Sequence, residues 1–142
     1  MRTIKTILII LCVTTLWDCS AKKTAKPNIE TYHGYVFTKQ KFSGRSSWYG
    51  PRFHGRKTAS GERYNMYQLT AAHRSLPFGT LLQITNVTND KKIIVKVNDR
   101  GPFISGRVLD LSYAAAQKLG FVNAGTAEIK ARVLKKAVAS AK

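Results

Sequence analysis

The sequence is poor in acids: 7 Asp and Glu stand against 24 Lys and Arg, giving a formal charge of +17. So basic a chain favours polyanions and anionic surfaces. Nucleic acid, acidic membranes and carboxylate-bearing wall polymers all satisfy it, so charge alone does not choose. Cysteine is nearly missing as well. The two present, Cys12 and Cys19, both lie near the N-terminus, which excludes an internal disulfide or a thiol nucleophile further along. No apolar run reaches the roughly 20 residues of a comfortable transmembrane helix. The 3 histidines and the scattered acids show no metal-ligand spacing, so neither a metal nor another cofactor is expected. No Ser sits in a nucleophile-elbow context, and neither GRSSWYG nor SGERYN has the flanking strand and helix of a phosphate-cradling loop.

What is present begins with an export signal. MRTIK is a short basic region and TILIILCVTTLW an apolar one, the pattern of a secretory signal peptide. The polar CSAKKTAKPN that follows argues against a buried N-terminal helix. Residues 1–19 are read as this signal. Cys19 closes LWDC, which is similar to a bacterial lipobox at Leu16 but carries bulky Trp17 and puts Asp18 where a small residue is the rule. Lipidation of Cys19, anchoring the chain to a membrane, and cleavage after Ala21 are competing readings. Removing residues 1–18 takes away only Arg2, Lys5 and Asp18 among the charged positions, so the basic character belongs to the remainder.

Residues 20–41 lack clear periodicity and read as a linker, ending in a strand around Tyr35–Thr38. Residues 42–135 read as one domain, and 136–142 as a frayed basic tail. Within the domain SSWYG, LTAAH, TLLQITN, IIVKVND, VLDLS and TAEIKARVL have the character of short strands. Ser112 can N-cap a helix over YAAAQKLG, with Gly120 as its stop. About six short strands and a single helix fit a small β-barrel better than a helical bundle or a parallel α/β sheet.

Five acids lie between Phe42 and Leu134: Glu62, Asp90, Asp99, Asp110 and Glu128. Asp90, in NDKK, reads as a turn residue bonding its own backbone, and Glu128 as a solvated position on an alternating strand. Asp110, between Leu109 and Leu111, is an expensive place for an unpaired charge. It must face a polar cleft, pair with a cation or cap the following helix. Asp99 closes an apolar strand before a Gly-Pro turn. Because adjacent strand residues face opposite ways, a salt bridge to Arg100 is not its obvious purpose. Glu62, in a loop, reads equally as a solvated charge. His73, after LTAA, reads either as a functional group or as a satisfied core histidine. Carboxylates with a His, and with Trp48, Tyr49, Phe53 and Tyr64 nearby, suit acid–base chemistry on a glycan among other options.

GRSSWYG, KTASGERYNMYQLTAAHRSLPFGT, VKVNDRGPF and RVLDLSYAAAQKLG resemble, in order and spacing, the RlpA-like (rare lipoprotein A) septal ring lytic transglycosylases over roughly Gly44 to Leu134. The resemblance implies a mainly β fold, a six-stranded double-psi β-barrel with one or two short helices. It implies an exported protein of the bacterial periplasm or cell envelope, or an outer-membrane lipoprotein. The implied activity is endolytic cleavage of peptidoglycan glycan strands, preferring strands stripped of peptide stems. By motif, Glu62, His73 and Asp99 correspond to the family's catalytic-site residues, and Asp110 to the acid of expansin-like and cellulase barrels. Tyr49, Ser60, Asn98 and Arg100 are implied to contact the sugar. Many members carry a C-terminal SPOR domain, and this sequence reads as one without it. A non-catalytic, expansin-like wall-binding module is the alternative. Export argues against a nucleic-acid partner, the motifs resemble no nucleic-acid-binding module, and a monomer is expected.

Overall fold

A computed structural model describes residues 31–137, so the signal, Cys19 and the first part of the linker lie outside the described residues. The strands are β1 (Thr31–Tyr32), β2 (Tyr35–Trp48), β3 (Thr70–Ala72), β4 (Leu81–Asn86), β5 (Lys92–Asp99), β6 (Arg107–Leu111) and β7 (Thr126–Lys136). A 3₁₀ turn covers Pro51–Phe53, and helix α1 covers Tyr113–Leu119. Neighbours run β1-β2-β6-β3-β5-β4-β7, and β2 also pairs with β7. Six strands therefore close on themselves, and β1 extends one edge. Closure leaves no long free edge to aggregate.

The core follows from strict alternation. In β4, Leu82 and Ile84 point inward, opposite Val95 and Ile93 of β5 on one side and Val133 and Ala131 of β7 on the other. Leu109 and Leu111 of β6 and Ile129 of β7 complete a fully buried centre. Helix α1 plugs one end, burying Ala115, Ala116 and Leu119. Its cap and stop are those expected from sequence: Ser112 Oγ accepts from Ala115 N–H at 3.3 Å, and Gly120 takes a left-handed φ of 77°.

The structure departs from the sequence reading at the ends of the domain and in one turn. Strand β2 is long, and its pairing with β7 reaches back to Tyr35, so the sheet occupies much of the span read as linker. Ordinary strand periodicity was hidden there by the exposed Lys39 to Lys41. Strand β7 likewise runs to Lys136, the first residue assigned to the tail. Asp90 does sit in the β4–β5 turn, at φ 55°. The side chains that tie that turn are instead Asn86, accepting from Thr88 N–H at 3.0 Å, and Asn89, accepting from Lys91 N–H at 3.1 Å.

Two parallel pairings, β2 with β6 and β3 with β5, interlock through the antiparallel contact of β3 with β6. Each parallel pairing carries a one-residue slip. Between β2 and β6 the register steps from Arg45↔Arg107 to Ser46↔Leu109, so Val108 is extra. Between β3 and β5 it steps from Ala71↔Val97 to Ala72↔Asp99, so Asn98 is extra. A bulge flips the in–out alternation beyond it and re-aims side chains. Gly44, at φ 151°, makes room for the first: a Cβ there would stand 2.8 Å from Val108 Cγ1.

Candidate active site

The bulges bring the two central acids onto one rung. Ala72 of β3 is opposite Asp99 of β5 on one side and Asp110 of β6 on the other. Two inter-strand spacings of about 4.8 Å put their Cα atoms about 10 Å apart, across a residue too small to fill the gap. The resulting cleft of about 230 Å³ is lined by both acids, Ala72, Tyr49, Phe53, Arg56, Thr58, Tyr64 and Arg100. Four roomier grooves, of about 310 to 570 Å³, lie elsewhere on the described surface, and none of them is lined by a carboxylate.

Asp99 is held by backbone alone. Its Oδ1 accepts from Ala59 N–H at 2.9 Å and from Arg100 N–H at 2.8 Å, and Oδ2 takes no hydrogen bond from the described residues. The Arg100 guanidinium turns away, donating to the carbonyls of His73 and Leu76 and lying 3.8 Å over the Phe78 ring. The expectation that Arg100 is not the salt-bridge partner of Asp99 is met.

Asp110 is held by side chains. Ser47 Oγ donates to its Oδ1 at 2.5 Å, Arg107 Nη1 donates to Ser47 Oγ at 2.7 Å, and Arg107 Nε lies 3.6 Å from the same Oδ1. At 17% and 22% side-chain exposure the Asp110–Arg107 pair is largely shielded. The Arg45–Glu128 pair, at 61% and 59%, is a solvated contact of little worth. Of the three roles open to Asp110, cleft-facing and cation-paired are the ones observed; the helix cap is Ser112. Sequence reasoning missed Arg107 and Ser47. Arg107 is three residues from Asp110, which in a regular strand faces the other side. The bulge at Val108 reverses that, and the small Gly44 opposite it was the only signal in the sequence.

Tyr49 forms the wall between the acids. Its ring packs on Tyr64 at 4.5 Å and Phe53 at 6.2 Å, and Tyr64 Oη donates to its carbonyl at 3.1 Å. The Tyr49 hydroxyl is buried and, like that of neighbouring Thr70, makes no hydrogen bond of good geometry. Burial above all, then the negative charge of Asp99, with Tyr64 and Asp110 adding to it and Thr70 opposing, pushes its pKa far above the ordinary phenol range. It therefore stays a neutral donor.

Glu62 and His73 lie outside this cleft. Glu62 accepts from Lys96 Nζ at 2.8 and 3.0 Å and from Asn98 Nδ2 at 3.0 Å. Those hydrogen bonds, Lys96 first, hold its carboxyl below the usual range. His73 Nδ1 accepts from Ser75 and Leu76 N–H at 3.2 and 3.0 Å, and its ring packs 5.2 Å from Phe42. Burial, then the positive charges of Arg100 and Arg74, lowers its pKa. Its Nδ1 is thus satisfied by backbone, while the residue itself is only partly buried. Asn98, expected to touch sugar, is 2% exposed and faces Glu62, which makes it a support for the bulge. Ser60 is half-buried and pairs with Thr58 Oγ1 at 3.1 Å, while its N–H donates to Asn98 O at 3.2 Å. This loop delivers the Ala59 N–H to Asp99. Among the described residues no group of three or more His, Cys, Asp or Glu is placed to hold a metal, and no helix is long and apolar enough to cross a membrane.

A closed barrel with two interlocked parallel pairings and an acid at the end of each defines a double-psi β-barrel with an acidic cleft. The solved expansin of Clavibacter michiganensis has this fold, superposing with a TM-score of 0.56 at 23% identity over 70% of this chain and 53% of its own. Residues 41–131 match the family described as lytic transglycolase, and the chain belongs to that family. It is 60% identical over 92 residues to the "Probable endolytic peptidoglycan transglycosylase RlpA" of Aquifex aeolicus, covering 65% of this chain and 41% of that one. It is also 60% identical over 88 residues to the "Endolytic peptidoglycan transglycosylase RlpA" of Neisseria meningitidis serogroup A, covering 62% and 37%. The chain thus spans well under half the length of these curated relatives.

Proposed function

We propose that this protein is an endolytic peptidoglycan lytic transglycosylase of the cell envelope. The observation that carries the reading is the Asp99–Ala72–Asp110 rung, two carboxyls facing one cleft, each with an oxygen left open. Transfer to this chain of the activity named for its relatives is consistent with that rung, because the family match over residues 41–131 contains β3, β5 and β6, the strands that build it.

In the proposed reaction the acid protonates the oxygen bridging N-acetylmuramic acid to N-acetylglucosamine. The C1–O bond breaks, the muramyl 6-hydroxyl closes on C1, and a base takes the hydroxyl proton. The products are a free 4-hydroxyl and a 1,6-anhydro ring, with no water consumed. Asp110 is committed to an ion pair with Arg107, whereas Asp99 receives only backbone N–H groups. Asp99 is therefore the carboxyl available to move the proton, and Asp110 supplies fixed negative charge beside the oxocarbenium-like centre. Tyr49 and Phe53, whose rings line the cleft, give an apolar face for a sugar ring. Glu62 and His73 act through the loops they hold. Strands without peptide stems are the preferred substrate, since a cleft this small admits a bare sugar chain more readily than a branched one.

Mass spectrometry of stem-stripped sacculi incubated with purified protein tests this. Anhydro-ended fragments are expected. Binding without any such fragments between pH 5 and 8 would replace the enzyme with the expansin-like alternative, and reducing ends lacking the anhydro ring would indicate a hydrolase. Export and anchoring at Cys19 complete the proposal; radiolabelled palmitate should enter the parent and not Cys19→Ala.

A further inference from the structure

We propose that the outer sheet face of β2, β7, β4 and β5 is a second binding surface for the glycan strand, engaging its free lactyl carboxylates. This rests on the glycan reading above. The face is centred on β7, three strands from β3 in either direction round the barrel, and so on the wall opposite the acidic cleft. Its cations form two rungs. Lys41 of β2 pairs with Arg132 of β7, which pairs with Gln83 of β4; Lys130 of β7 pairs with Thr85 of β4, which pairs with Lys92 of β5. These side chains border a groove of about 440 Å³ without a single carboxylate in its lining.

The chemistry of the face selects the occupant. Removing a peptide stem by amide hydrolysis leaves one lactyl carboxylate on every muramic acid, so a bare strand is a regularly spaced polyanion rich in hydroxyls. Lys130 and Lys92 stand two strand spacings apart, about 10 Å, with the hydroxyl of Thr85 between them, and the amide of Gln83 lies on the next rung. Both the charge spacing and the intervening polar groups fit such a strand. A membrane fits less well, because surface binding to lipid needs apolar side chains that insert. The exposed large apolar residues, Tyr32, Tyr67, Phe78, Val87, Phe103 and Ile104, are all absent from this groove. A nucleic acid would call for exposed aromatic platforms, and the aromatic side chain in the lining, Phe42, is partly buried against the core and His73.

The test is co-sedimentation with stem-stripped sacculi of the parent, of Lys41→Gln/Lys92→Gln/Lys130→Gln, and of a charge-matched control, Lys22→Gln/Lys23→Gln/Lys26→Gln, at positions that precede β1 in the sequence. Thermal melting checks that all three are folded. The first variant should bind about tenfold more weakly, the sum of three modest exposed ion pairs. The control should bind like the parent, and so should the variant's cleavage of short soluble glycan fragments match the parent's. Converting the lactyl carboxylates to amides should erase the difference between parent and variant. Equal loss in the control, or no loss in the variant, overturns the proposal. Equal loss towards phosphatidylglycerol vesicles or a single-stranded oligonucleotide also overturns it, leaving a general anion surface. Failure of the parent to produce anhydro ends would sink the reading of the cleft alone, because sedimentation reports this face without any cleavage.

Discussion

The floor of the cleft and its shoulder received their polar groups from the same run of motifs, yet the two are satisfied differently. On the shoulder, both oxygens of Glu62 are occupied by Lys96 and Asn98, and Nδ1 of His73 is occupied by two backbone N–H groups. On the floor, Asp99 and Asp110 are each gripped through Oδ1, while the Tyr49 hydroxyl has no partner of good geometry. A saturated group fixes the positions of others. A half-saturated one, held rigidly at one atom, is able to exchange a proton or bind sugar at the next. In the proposed reaction the cleft floor is thus the chemical region, and the shoulder its frame.

The sharpest way to break this division is to remove the acids one at a time. Asp99→Asn keeps the Oδ1 contacts to Ala59 and Arg100 and removes the exchangeable proton. Anhydro-product formation should fall by about 10²–10⁴, the span of general acid–base assistance. Asp110→Asn should fall less, about 10²-fold, because it removes charge beside the reacting centre and leaves the proton donor. A larger loss in Asp110→Asn than in Asp99→Asn would exchange the two roles.

The bulge that aims Asp110 can be attacked from behind. Gly44→Ala places a Cβ against Val108 Cγ1 in a backbone conformation that suits glycine. Overpacking of this kind should lower stability by about 2 kcal/mol, read by urea unfolding. Activity should fall further than unfolding explains, since Arg107 and Ser47 then lose their register with Asp110. Arg107→Gln isolates that contact. About tenfold in kcat should be lost with KM nearly unchanged, because the Asp110 carboxylate no longer has the cation that fixes it at the cleft. An unchanged kcat would show that Arg107 only supports the fold.

Much of the barrel was legible from alternation in TLLQITN, IIVKVND and TAEIKARVL, and Ser112 and Gly120 announced the helix ends by local chemistry. The site was legible only in part. Strand periodicity assumes no insertion, so the two bulges, which decide where Asp99, Asn98, Arg107 and Asp110 point, inverted the expected faces. The resemblance implies a sugar contact for Asn98, whereas as the bulged residue it is buried against the Glu62 loop. Ala72 carried no signal at all. Its function is to be small, a property visible only when its two neighbours across the sheet are known.

The shoulder is tested by changes that should leave chemistry nearly intact. Glu62→Gln preserves shape and removes charge, and should cost about three- to tenfold in activity by loosening the loop that delivers Ala59 N–H. The lowered pKa of Glu62 means its ion pair supports folding above the unfolded value, near 4.3, and that support is lost as pH falls through the folded value.

His73 gives the smallest effect and the cleanest sign. Its folded pKa lies below its unfolded value of about 6.5, so beneath pH 6.5 the unfolded chain binds a proton that the folded chain resists. Stability then rises with pH across that window and is lost as pH falls from 6.5 through the folded value. In His73→Asn, Asn Oδ1 replaces Nδ1 as acceptor for the N–H groups of Ser75 and Leu76, and the titrating ring is gone. Urea midpoints measured from pH 7.5 down to 5 should therefore converge: the variant starts slightly less stable, having lost the Phe42 contact, and declines less than the parent. Because the side chain is only half-buried the difference is small, but its direction is fixed. Parallel curves would show that the ring is protonated as easily in the folded protein as in the unfolded chain, and would return His73 to the list of groups free to act on substrate.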